Sequence, residues 1–169
     1  APLAVAAVLA LAARKPATFR VERTVAIHAA PQKIFPLIDA LPQWRAWSPY
    51  EDKDPAMQRT FSGPARGTGA AYAWSGNREV GAGRMEITTS TPDRHIVMRL
   101  DFRKPFKATN TAEFIFTPAD GGTRVTWAMS GEASFLCRVM GLFIDMDKMI
   151  GKDFETGLQR LKAVAERPA

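Results

Sequence analysis

Between residues 57 and 131 the chain is cut into strand-length segments by five clusters of turn-forming residues: "SGPARGTG" (62–69), "SGNREVGAG" (75–83), "STPDR" (90–94), "RKPFK" (103–107) and "TPADGGT" (117–123). No other feature constrains the fold as much. Segments this short, separated by Gly, Pro, Asn and Asp, favour an antiparallel meander. Their phases are readable. In "RHIVMRLDF", Ile96, Met98, Leu100 and Phe102 share one face and Val97, Arg99 and Asp101 the other. In "TAEFIFTP", Phe114 and Phe116 oppose Glu113 and Ile115; in "TRVTWAMSG", Val125, Trp127 and Met129 oppose Arg124 and Thr126. The sheet therefore has one apolar face that needs a cover and one polar, solvated face.

The cover follows the strands. "SFLCRVMGLFIDMDKMIGKDFETGLQRLKAVAE" repeats apolar residues at intervals of three and four, which predicts one long amphipathic helix. Gly141, Gly151 and Gly157 each cost about 1 kcal/mol in a helix interior, so close packing or a bend is expected at them. Before the meander, "FRVERTVAIHA" (19–29) alternates as a strand with Phe19, Val21, Val25 and Ile27 inward and Arg23 in the same phase. "APQKIFPLIDAL" predicts a short helix with Pro31 in its first turn and Pro36 limiting its length. "LPQWRAWSPYEDKD" (41–54) continues the helical region, with Trp44 and Trp47 on one side of a turn. The order is strand, two short helices, about six strands, long helix. A bent sheet gripping the helix buries both apolar faces, an α+β architecture.

The 13 residues "APLAVAAVLALAA" carry no charge and run into Arg14, Lys15 and Pro16. A spanning helix needs about 20 apolar residues, so the run is too short to cross alone. A membrane anchor is the leading expectation; a signal remnant and a helix docked on the soluble fold are the alternatives. The division is then 1–18 for the apolar helix with its basic flank and 19–169 for the folded domain. Arg14, Lys15 and Arg20 favour a cytoplasmic domain. Net charge is +6, compatible with an anionic partner such as phospholipid, or simply with solubility. "FRKPFK" (102–107) joins Arg103, Lys104 and Lys107 to Phe106 at an expected hairpin tip, a combination suited to a lipid surface. Nothing resembles a nucleic-acid recognition helix or stacking platform, so no nucleic-acid partner is expected.

Signals for catalysis are few. His28 and His95 stand alone, and Cys137 has no histidine spaced to activate it. Asp145 and Asp147, two apart on a helix, point to different sides. "GTG" and "GAG" open no helix and read as turns. No metal set, cofactor motif or nucleophile with a base is identifiable, and no catalytic residue is assigned.

The stretches "RTVAIHAAPQKIFPLI", "WRAWSPY", "GTGAAYAW", "GAGRMEI", "GGTRVTWAMSG" and "GLQRLKAVAE" together resemble the START-like or Bet v 1-like superfamily, in particular bacterial polyketide cyclase/dehydrase-type proteins, over about residues 19–166. The resemblance implies a helix-grip fold of six to seven curved antiparallel strands with an apolar cavity between sheet and helix, the short helices capping one end. By strand phase the expected ligand-binding residues are Tyr72, Trp74, Met98, Leu100, Phe102, Phe114, Phe116, Trp127 and Met129, faced by Phe143, Met146 and Ile150, with Trp44 and Trp47 at the edge and Arg23 as a cation inside. The expected role is a membrane-tethered, non-catalytic module of a bacterial inner membrane that binds a hydrophobic small molecule or lipid. The alternatives are a docking subunit among other membrane-protein subunits, and a cyclase or dehydratase using Arg23 or Tyr72.

Overall fold

The computed structural model describes residues 2–168. Helix α1 (Pro2–Arg14) precedes strand β1 (Thr18–Ile27), and α2 (Pro31–Asp39) follows it. A 3-10 helix (Leu41–Ala46) and the single turn α3 (Tyr50–Lys53) lead into six strands: β2 (Gln58–Ser62), β3 (Ala71–Ser75), β4 (Ala82–Thr91), β5 (His95–Lys104), β6 (Ala108–Ala119) and β7 (Gly122–Glu132). Helices α4 (Phe135–Met140) and α5 (Met146–Ala165) close the chain. All seven strands form one antiparallel, curved sheet in the order β1-β7-β6-β5-β4-β3-β2. The predicted strand–helix–meander–helix order is therefore present, as a helix-grip α+β fold.

The strand phases follow the sequence pattern. Ile96, Met98, Phe114, Phe116, Val125 and Trp127 are buried on the inner face, with Val21, Val25 and Ile27 of β1 beside them. The outer face carries polar contacts, among them Arg99 with Asp101 and Thr24 with Thr126. The β3–β4 turn needs Gly81, whose φ is +61°: a Cβ there would fall 2.2 Å from the Lys104 carbonyl oxygen.

The predicted single C-terminal helix is two helices. Ser134 caps α4, its hydroxyl accepting from the Cys137 amide, and Asp145 caps α5 by accepting from the Lys148 amide at 3.0 Å. The apolar period runs unbroken through 135–164, which is why the pattern alone reads as one helix. The break falls between Gly141 and the Asp145 cap, because a side-chain acceptor at a helix start competes with helix continuation. Beyond it, α5 lies across β1 and also touches β7, α2 and the 3-10 helix.

Helix α1 has 13 residues, and among the described residues no helix is long and apolar enough to cross a membrane. Helix α1 lies against α4, burying Ala12, while Lys15 donates to the Gly141 carbonyl.

Candidate ligand site on the inner face of the sheet

The inner face divides along the strand direction. At the end nearest α2 it is filled by rings. Trp44 and Trp47 sit 4.7 Å apart, Phe114 and Trp127 stack at 5.1 Å, and Trp127 and Phe154 of α5 stack at 4.1 Å with 11° between planes. The pairs Trp44–Trp47 and Phe114–Trp127 cross edge to face, Trp47 to Trp127 at 5.5 Å and Trp44 to Phe114 at 5.7 Å, arrangements that ring quadrupoles favour. Helix α5 reaches this cluster because position 157 is glycine: a Cβ there would meet the Trp127 ring at 2.8 Å and Pro49 at 3.0 Å. Met98 and Phe116 are buried in the same core.

Both tryptophans also end α2. The last turn of a helix leaves carbonyl oxygens without intrahelical donors. Trp44 Nε1 donates to the Ile38 carbonyl at 2.9 Å and Trp47 Nε1 to the Leu37 carbonyl at 2.8 Å, while the Ala40 amide takes the Pro36 carbonyl. Spacing suggests that the two rings act together but gives no hint of this capping role.

At the opposite end the face opens. Phe19 of β1, Trp74 of β3, Leu100 and Phe102 of β5, Met129 of β7 and Ile150 of α5 are only half-buried. The register places Phe19 opposite Gly131, Gly131 opposite Asn110 and Asn110 opposite Leu100, so these residues occupy one end of the sheet. Asn110 is the polar group on this apolar floor. It is buried, its Oδ1 has no partner among the described residues, and its Nδ2 lies 4.0 Å from Met129 Sδ. A Cβ at Gly131 would come within 2.2 Å of that oxygen, so the amide needs glycine beside it. Asn110 shares the phase of Phe114 and Phe116, the signal by which the sequence could have shown it.

The remaining expected residues are placed as follows. Arg23 points inward and is held by α5, its Nη2 2.8 Å from Asp147 Oδ2 and its Nε 2.8 Å from Glu155 Oε1. Its guanidinium rests on Gly151, where a Cβ would fall 2.0 Å from Nη2. The hydrogen bond to Asp147, then that to Glu155, raises the Arg23 pKa above its ordinary value, and Arg23 in turn holds Asp147 below the usual carboxylate range. Tyr72 donates to Glu51 Oε1 at 3.1 Å, and Glu51 Oε2 pairs with Arg59 Nε at 2.7 Å, an almost dry triad linking α3 to β2 and β3. Burial, followed by the charge on Glu51, raises the Tyr72 pKa, so the phenol keeps its proton. Met146 lines an open groove of about 580 Å³ formed by Lys15 and residues 141–147. Phe143, expected on the helix face, stands in the α4–α5 link and is 74% exposed. Among the described residues, no group of three His, Cys, Asp or Glu could hold a metal.

Solved structures share this fold. The chain is similar to an Aha1 dimer from Colwellia psychrerythraea (16% identity, TM-score 0.62, 88% of this chain and 96% of that one). It is also similar to protein Ms6760 from Mycobacterium smegmatis (21%, TM-score 0.58, 86% and 89%). A third likeness is to the di-domain ARO/CYC BexL from the BE-7585A biosynthetic pathway (13%, TM-score 0.65, 95% and 54%). At these identities the likeness is one of fold. No curated protein matches the chain in sequence. The family model described as "Polyketide cyclase / dehydrase and lipid transport" matches residues 18–166, from the first residue of β1 to the residue after α5. Seven strands wrapped on a C-terminal helix, and a model match over that whole length, make the chain a member of the polyketide cyclase/dehydrase and lipid transport family.

Proposed function

We propose that the protein is a non-catalytic module that binds a hydrophobic small molecule or lipid at the half-open end of the inner face, held at a membrane by α1. The carrying observation is the burial gradient: one end of the face is packed with rings, and the other leaves Phe19, Leu100, Phe102 and Met129 half-buried around Asn110. Apolar walls with a few placed polar groups are the usual composition of a small-molecule site. The family description and the expected chemistry of the fold support the same ligand class.

The non-catalytic reading is supported by the state of the two groups best placed for chemistry. Arg23 is neutralised by two carboxylates, and the Tyr72 hydroxyl is already given to Glu51. Neither is free and tuned toward neutrality, as acid–base work requires. Tethering is supported by α1, whose Leu3, Val5, Leu9 and Leu11 are exposed. The basic residues after it suit the anionic cytoplasmic leaflet of a bacterial inner membrane.

The test has two arms. Protein taken gently from its own membrane is examined by native mass spectrometry, with organic extraction of what it carries; a stoichiometric apolar compound is expected. In parallel, Leu100→Asp and Met129→Asp are expected to weaken Nile red binding about tenfold or more, because a buried charge with no partner costs of order 1.4 kcal/mol or more. An empty chain travelling with other membrane subunits, and dye binding unchanged by either substitution, would sink the carrier reading and favour a docking subunit.

A further inference from the structure

Eleven large apolar side chains are exposed among the described residues, and ten of them lie in α1, α4, the α4–α5 link, the first turn of α5 and the β5–β6 turn. Only Phe61 lies elsewhere. Antiparallel register explains why these segments meet at one end of the sheet. Thr18 pairs with Glu132, Asn110 with Gly131, and Phe102 with Ala108, so the start of β1, the end of β7 and the β5–β6 turn are neighbours. From there α1 leaves β1, and α4 leaves β7 and lies along α1. The half-buried mouth of the inner face opens at this same end.

Cations are interleaved with the apolar groups. Arg14, Arg103, Lys104, Lys107, Arg138 and Lys148 pair with no carboxylate among the described residues. The Arg138 guanidinium lies 5.3 Å from the centre of the Phe135 ring, and its Nε is buried without an acceptor. Most carboxylates here are already engaged: Asp147 by Arg23, Asp145 by the Lys148 amide, Asp101 by Arg99 and Thr109. Glu79 and Glu132 remain.

From this we infer that the end of the sheet formed by the β5–β6 turn, α4 and the α4–α5 link docks on an anionic bilayer, independently of α1, with the mouth of the inner face turned to the lipid. Phe106 and the Phe143–Ile144 pair enter the acyl boundary, and the unpaired cations meet the headgroup phosphates. A protein partner fits less well. The cores of protein interfaces are depleted of charge, and lysine in particular is under-represented there, whereas single apolar residues on basic turn tips match the depth profile of a bilayer surface. Only the role of the mouth rests on the ligand-binding reading; the docking itself does not.

Cys137, exposed on α4 and the one cysteine of the chain, gives the test its reporter. The full chain, carrying an environment-sensitive fluorophore on Cys137, is mixed with phosphatidylcholine vesicles with and without phosphatidylglycerol. The emission should shift to the blue and be quenched by brominated acyl chains. The shift should weaken about tenfold or more in phosphatidylcholine alone or in high salt. It should survive Leu3→Ser, Val5→Ser, Leu9→Ser and Leu11→Ser together, and be lost on combining Phe106→Ser, Phe143→Ser and Ile144→Ser. Near-ultraviolet circular dichroism of the tryptophan cluster verifies folding of each variant. A label that stays in water while the chain still floats with vesicles overturns the proposal in favour of α1 alone. A blue shift that appears without vesicles as protein concentration rises overturns it in favour of a second copy. Nile red binding in the absence of vesicles should be unchanged by either set of substitutions, so an absence of dye binding would count against the carrier reading and not against docking.

Discussion

Trp44 and Trp47 each do two jobs with one side chain. The rings build the sealed end of the inner face, and the indole N–H groups terminate α2. These roles separate in a substitution to phenylalanine, which keeps most of the ring and removes the donor. Trp44→Phe and Trp47→Phe should each destabilise the protein by about 1–3 kcal/mol, the cost of a buried carbonyl left without a partner, read as a lower urea midpoint with unchanged slope. A loss below about 0.5 kcal/mol would mean that the carbonyls find other donors. The pairing of the two tryptophans was legible from their spacing. Their hydrogen bonds were not, because they depend on where Pro36 and Asp39 end the preceding helix, a geometry that spacing does not encode.

Among the elements, α5 shows how a correct pattern can mislead about length. The apolar residues at three- and four-residue intervals identify the face that meets the sheet, and Phe154, Leu158 and Leu161 are buried as that face requires. The same period runs through α4, which belongs to a different surface, and the local cap at Asp145 divides the two. Arg23 then fastens α5 to β1 through Asp147 and Glu155. Its inward phase and its need for anions were legible; that the anions come from the protein was not, since they lie more than 100 residues along the chain. Asp147 has a folded pKa below its unfolded one. Its contribution is therefore full above the ordinary carboxylate range and is lost as pH falls through the depressed folded value. Below about pH 4, the melting temperature of the wild type should drop more steeply than that of Asp147→Asn. Glu166, held low by its hydrogen bond from Lys162, titrates in the same direction in both proteins, so the difference between the two curves isolates Asp147. Parallel curves would show that the clasp adds nothing measurable.

On the scale of the whole molecule, the sheet is closed at one end by aromatic packing and open at the other. Strand phase could say which residues face inward, and it did so for Met98, Phe114 and Trp127 as well as for Leu100, Phe102 and Met129. It could not say how far along each strand the packing extends, because that depends on where α5 crosses and where the 3-10 helix folds back. Hydrogen exchange should report the difference. Amides of Val25, Ile27 and Val125 are expected to exchange only through global opening, while those of Phe19, Leu100 and Phe102 exchange through local opening and slow when an apolar ligand is bound. Uniform protection along the strands would contradict a two-ended face.

The pairing of β1 with β7 has a consequence for synthesis. Strand β1 leaves the ribosome early, yet its partner lies roughly 100 residues later, a delay of about 5 to 20 seconds at ordinary translation rates. Through that interval the unpaired edge of β1 and the apolar α1 just ahead of it are both uncovered. Nascent chains stalled before β7 should therefore be sensitive to protease throughout, and the last strand made is the one that joins β1 to the meander of β2–β6 in a single folding unit.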